Sequence, residues 1–97
     1  MLKSEEIYKE IINSEKRKSL TEKFKIKIYE RDGNKCFYTD KEMTMEEATL
    51  EHLIPLSKGG KNNIDNLVLC FAEENHKMAN KPLIEKIKYK IESIKNV

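Results

Sequence analysis

Cysteine, glycine and proline are all scarce in this 97-residue chain, and each shortage excludes something. Two cysteines, Cys36 and Cys70, cannot build a disulfide framework, nor the four soft ligands of a structural zinc knuckle. Three glycines and two prolines leave no low-complexity tract, so Gly33, Pro55, Gly59, Gly60 and Pro82 each read as punctuation. No apolar run approaches membrane-spanning length, and the polar opening Met1-Leu2-Lys3-Ser4-Glu5-Glu6 lacks a signal-peptide pattern. A reducing cytoplasm is the expected setting. At this length one domain spanning residues 1–97 is expected, with one modest core and no separate specificity module.

What is present is charge. The chain is 38% hydrophobic and 37% charged, and its net charge of +2 hides an uneven distribution. Residues 36–75 carry three Lys/Arg against eight Asp/Glu, whereas residues 1–35 carry ten against seven and residues 76–97 six against two. An acidic middle between basic flanks suits a cation-holding site beside polyanion-binding surfaces, although Lys-rich helix faces are also commonly just solvated. The apolar residues are periodic, which argues for a folded domain over disorder.

The order of elements follows from the punctuation. Ser4 can cap a first helix with an apolar stripe of Ile7, Ile11 and Ile12, followed by a charged connector at residues 15–18. Ser19-Leu20-Thr21-Glu22 has capping-box spacing, and Gly33 supplies a stop, so a second helix to about Arg31 is predicted. Lys23-Phe24-Lys25-Ile26-Lys27-Ile28 alternates with period two and by itself would read as a strand; the caps favour the helix. Residues 48–54 read as a strand, 67–70 as its partner, and the polar segment 55–65 as a surface loop between them. A helix is expected from Phe71 to about Ala79. Asn80 would cap the next one, with Pro82 in its first turn and a stripe of Leu83, Ile84, Ile87, Ile91 and Ile94 serving as core or as a dimer surface. Cys36 and Cys70 are expected to be small buried apolar residues, packed with Phe71.

The chemistry concentrates at Glu51-His52. Phosphodiester hydrolysis needs a base, and His52 has an unperturbed pKa near neutrality. Neighbouring residues on a strand point to opposite faces, so Glu51 and His52 would need a twist or bulge at the strand end to converge. A carboxylate and an amide oxygen are hard ligands that select Mg²⁺ or Mn²⁺. Asn75 or His76 could complete such a site, but about 100° separates them on a helix, so only one can face it fully.

These residues carry a family resemblance. Arg31-Asp32-Gly33-Asn34-Lys35-Cys36, then Glu51-His52-Leu53-Ile54-Pro55-Leu56-Ser57-Lys58-Gly59-Gly60, then Asn66-Leu67-Val68-Leu69 and Asn75, resemble the HNH endonuclease family over roughly residues 20–82. The resemblance implies an α+β fold with a small ββα-metal core, set within 19–82 and flanked by helices at both ends. It implies DNA hydrolysis with His52 as general base, Glu51 and Asn75 as ligands of Mg²⁺ or Mn²⁺, and Asn66 holding the loop that positions His52. It assigns the third motif position to Asn75, not His76, and Asn80 resembles an asparagine found there in some family members. Lys58, Lys61, Lys77 and Lys81 flank the motif as candidate phosphate contacts, with His76 either at the surface or against DNA.

The chain departs from the family in three places. Glu51 stands where Asp is usual, and Met78 where a lysine is common. The cysteine pairs that hold a structural zinc in many members are broken, with Thr39, Phe71 and Glu74 at their positions and Cys70 one residue out of register. No structural zinc is expected. One site cuts one strand, so a double-strand break would need a homodimer or successive nicks, and specificity could come from a partner protein. The rival expectation is a nucleic-acid-binding module whose catalysis has decayed.

Overall fold

In the computed structural model, which describes residues 19–95, the period-two stretch is helical: α1 spans Leu20–Asp32. Ser19 has extended backbone angles and its Oγ accepts the Glu22 N–H at 3.1 Å, satisfying an otherwise orphaned donor. At the far end Gly33 sits at φ +82°, where a side chain would be strained, and its N–H donates to the Tyr29 carbonyl at 2.8 Å. Two local hydrogen-bonded ends therefore outweigh the alternation. Phe24 and Ile28, four apart, share the face that packs on the core. The helix expected under Ser4, and its connector, lie outside the described residues.

Residues 34–47 fold back on themselves. Lys35 and Glu42 form an isolated antiparallel bridge, and the Phe37 N–H donates to the Leu69 carbonyl at 2.8 Å, fixing the turn to the sheet. The sheet itself has two antiparallel strands, β1 (Ala48–His52) and β2 (Leu67–Phe71), in register from Ala48 opposite Phe71 to His52 opposite Leu67. β1 stops at His52, two residues before the expected end, because beyond it the chain bonds to Asn66 instead of a facing strand. No bulge interrupts the ladder from Ala48 to His52, so of the twist or bulge expected at the strand end, a bulge within β1 is absent.

Helix α2 (Ala72–Met78) follows β2 directly and, like α1, packs on the strand pair. Helix α3 (Leu83–Lys95) closes the described chain. The core comprises Ile28, Cys36, Tyr38, Met43, Ala48, Leu67, Leu69, Cys70 and Met78, with Phe37, Phe71 and Tyr89 packed against it. Both cysteines are buried free thiols, and burial pushes the Cys70 thiol up to about 12, which keeps it protonated and inert.

Two expectations for the C-terminal region are corrected. Asn80 does not cap α3. The Pro82 carbonyl accepts the Glu85 and Lys86 N–H groups at 3.0 and 3.2 Å, so the helix begins after Pro82, and Asn80 turns toward the Pro55–Ser57 segment. Nor is the aliphatic stripe buried as core, the first of its two expected roles. Ile84 is 60% exposed and Ile91 53%, whereas Lys86 is fully buried. The face turned to the domain is Lys86, Tyr89 and Lys90, spaced i, i+3, i+4. Tyr89 packs edge-on against Tyr38 at 5.5 Å, and the Lys90 ammonium lies 4.0 Å from the Phe37 ring centroid while donating to the Phe37 carbonyl. Long lysine stems cover apolar surface while their heads find oxygen atoms, which an isoleucine at those positions could not do.

Candidate active site

The loop between the strands, residues 53–66, is heavily hydrogen-bonded and carries two short 3-10 turns. Lys58 and Gly60 both donate backbone N–H groups to the Pro55 carbonyl, at 2.9 and 3.0 Å. Gly60 admits no side chain, since a Cβ there would fall 1.8 Å from the Ile54 carbonyl oxygen. Asn66 closes the loop from the other end. Its Oδ1 accepts the Ile54 N–H at 2.9 Å, and its Nδ2 donates to the carbonyls of Ile54 and Lys61, each at 2.9 Å. Asn66→Ala removes all three bonds at once. A loss of about 2 kcal/mol is expected, seen as a melting midpoint lower by roughly 10 °C. Unchanged melting would mean that the loop holds its shape without Asn66.

So held, the loop forms one wall of a cavity of about 240 Å³, whose polar lining is Glu51, His52, Ser57, Asn75 and Asn80. Glu51 and His52 both reach it despite their regular strand register, because β1 ends at His52 and the chain turns around the opening. Asn75 comes from α2. Its Nδ2 donates to Thr49 Oγ1 at 3.0 Å and to the Leu50 carbonyl at 2.8 Å, which fixes the amide against β1. Both N–H positions are thereby used, and Oδ1 is the atom left to accept. His76 is exposed on another face of α2, beside Glu73 and Lys77, and does not line the cavity.

Glu51 is 3% exposed, and its two oxygens are held differently. The Tyr38 hydroxyl donates to Oε2 at 2.9 Å, and the Lys86 ammonium lies 3.4 Å from Oε1. Tyr38 is itself fully buried. Burial first, and then its bond to Glu51, raises its pKa well above the ordinary phenol value and keeps it a donor. Lys86 also donates to the His52 carbonyl, so one ammonium touches both residues of the central dipeptide. His52 is half-buried, and its Nε2 lies 3.1 Å from Asn62 Oδ1.

Tyr38, Asn62 and Lys86 were not legible as site residues. Asn62 sat in a loop whose composition suits any surface turn. Tyr38 stands in the apolar triplet Cys36-Phe37-Tyr38, and Lys86 among the several lysines of the last segment. The only signal for Lys86 was its place on the wheel between Leu83 and Tyr89, where a docked face would have to swallow a charge.

Of the flanking lysines, Lys58 and Lys61 are exposed on the loop between the strands and do not line the cavity. Lys81 is exposed after α2. Lys77 faces away from the cavity, 3.6 Å from Glu73 and 5.9 Å from the Tyr89 ring centroid.

The donor set suits a hard cation. Among the described residues no group of three His, Cys, Asp or Glu side chains is placed to hold a metal ion. A cation at this cavity would rest on one carboxylate, one amide oxygen and water, which is the sparse oxygen set that Mg²⁺ accepts.

Two antiparallel strands, the loop joining them, and a helix that turns an amide toward the loop make a ββα nuclease core of α+β class. A family model described as HNH endonuclease matches residues 36–82, from the turn at Cys36 to Pro82, which supports the HNH endonuclease family for that stretch. HNH nucleases act on DNA and generally use divalent metal ions. No curated protein matches the chain. Among the described residues no helix is long and apolar enough to cross a membrane.

Proposed function

We propose that this chain is a metal-dependent endonuclease that hydrolyses DNA phosphodiester bonds. One observation carries the reading: within the stretch matching the family, Glu51, His52 and Asn75 come from two elements to line one polar cavity. His52 is the general base. With its Nε2–H donating to Asn62, its Nδ1 is the nitrogen free to take a proton from the attacking water. Glu51 and the Oδ1 of Asn75 are the protein atoms that would hold Mg²⁺ or Mn²⁺. When bound, that cation supplies positive charge against the pentacovalent phosphate and the leaving 3′ oxygen. Asn66 holds the loop rather than touching substrate. Asn80, which lines the cavity, and Lys58 and Lys61, exposed on the loop between the strands, contact the phosphate backbone. The products are 5′-phosphate and 3′-hydroxyl ends, and the setting is cytoplasmic.

A second reading has an observation in its favour. The Glu51 carboxylate already has an internal cation, Lys86, and a hydroxyl donor, which weakens its hold on a metal. On that reading the chain binds nucleic acid without cutting it. Supercoiled plasmid distinguishes the two. Conversion to nicked circles in Mg²⁺ or Mn²⁺, abolished by EDTA, is expected. No conversion with any divalent ion, alongside salt-sensitive DNA binding, would favour the binding module.

A further inference from the structure

Lys86 is the only buried residue of α3, and it lies beyond the stretch that matches the family. A lysine with 0% exposure is held by what its ammonium meets, and here that is the His52 carbonyl and Glu51 Oε1. Tyr38 occupies the other Glu51 oxygen, so the carboxylate is clamped between a fixed cation and a buried donor. We infer that Lys86 is a positioning residue that α3 contributes to the site. It orients Glu51 and His52 together and serves as the counter-charge of Glu51 when no metal ion is bound, so that an incoming cation shares the carboxylate with it.

The inference rests on the reading of Glu51 as a metal ligand and adds two consequences to it. First, the catalytic dipeptide keeps its geometry in the absence of metal, because its charge is balanced internally. Second, metal affinity is set lower than the bare carboxylate and amide would give, because a like charge lies against the ligand. A purely structural lysine would have the opposite effect on removal, loosening the ligand and weakening metal binding.

The test uses the full chain. Mn²⁺ binding is measured by calorimetry on the wild type, Lys86→Met and Lys86→Arg, beside plasmid cleavage at saturating Mn²⁺. Lys86→Met is expected to bind Mn²⁺ at least about fivefold more tightly, yet to cut at least about tenfold more slowly as the dipeptide loses its shared anchor. Lys86→Arg, keeping the charge, is expected to retain the wild-type affinity. Because Lys86→Met strips Glu51 of a buried partner, a readout independent of that variant's folding is taken on the wild type. Adding Mg²⁺ to protein carrying ¹³C at lysine Cε should shift the Lys86 signal saturably and leave that of exposed Lys27 in place. A wild type that binds neither ion overturns the metal-site reading, and this inference with it. A wild type that binds both, with Lys86→Met unchanged in affinity and cleavage, or with a Lys86 signal unmoved by Mg²⁺, overturns the inference alone.

Discussion

Replacing His52 with Ala is expected to lower plasmid cleavage by at least about a hundredfold, and by up to about ten-thousandfold, with DNA binding retained. The size follows from the role. On the proposed mechanism, loss of the base leaves water to be deprotonated by solvent, while the atoms proposed to meet metal and DNA stay in place. The structure makes the comparison clean, because the His52 side chain is bonded only to Asn62 among the described residues, and Asn62 lies in a loop already held by Asn66 and the Pro55 turn. The backbone carbonyl of His52, which Lys86 uses, survives the substitution. Undiminished cutting by His52→Ala would remove His52 from the mechanism and point to another base.

Glu51→Ala should have the largest effect on stability. A ligand on an open strand end would be removed cheaply, and its loss from a segment with an excess of acids would even relieve repulsion. Glu51 is not such a residue. Its removal leaves the fully buried Lys86 ammonium without its counter-charge and the Tyr38 hydroxyl without its acceptor. Breaking a buried pair from one side costs about 3–5 kcal/mol, and a melting midpoint lower by roughly 20 °C follows for a domain of this size. The measurement is urea unfolding in EDTA, so that no metal contributes to either protein. A Glu51→Ala protein as stable as the wild type would show that the pair does not form in solution. It would also remove the structural reason for the long side chain at a position where the family usually has Asp.

That longer side chain shows how far a sequence can be read. In the sequence Glu51 is only a departure from the family pattern, one methylene longer than the usual Asp. In the fold it bridges from the cavity to Tyr38 and Lys86. The neighbouring motif residues were legible because their surroundings are local. Asn66 binds Ile54 and Lys61, twelve and five positions away across one loop, and Gly60 lies against the same Ile54 carbonyl. The resemblance pointed to Asn75 over His76, and α2 turns Asn75, not His76, to the cavity.

By itself the sequence determined the capped helix from Ser19 to Gly33 and the strand–loop–strand order, and its resemblance to the family singled out Glu51, His52, Asn66 and Asn75. Each depends on atoms within a few residues or on a fixed spacing, so the information is present in the string. The tertiary structure decided which face of α3 docks, and with it the burial of Lys86 against a residue pair 34 positions earlier. Hydropathy points the other way, toward the isoleucine stripe. The choice turns on whether an ammonium meets a carbonyl and a carboxylate at the docked surface, and those partners exist only once the strands and the loop have assembled.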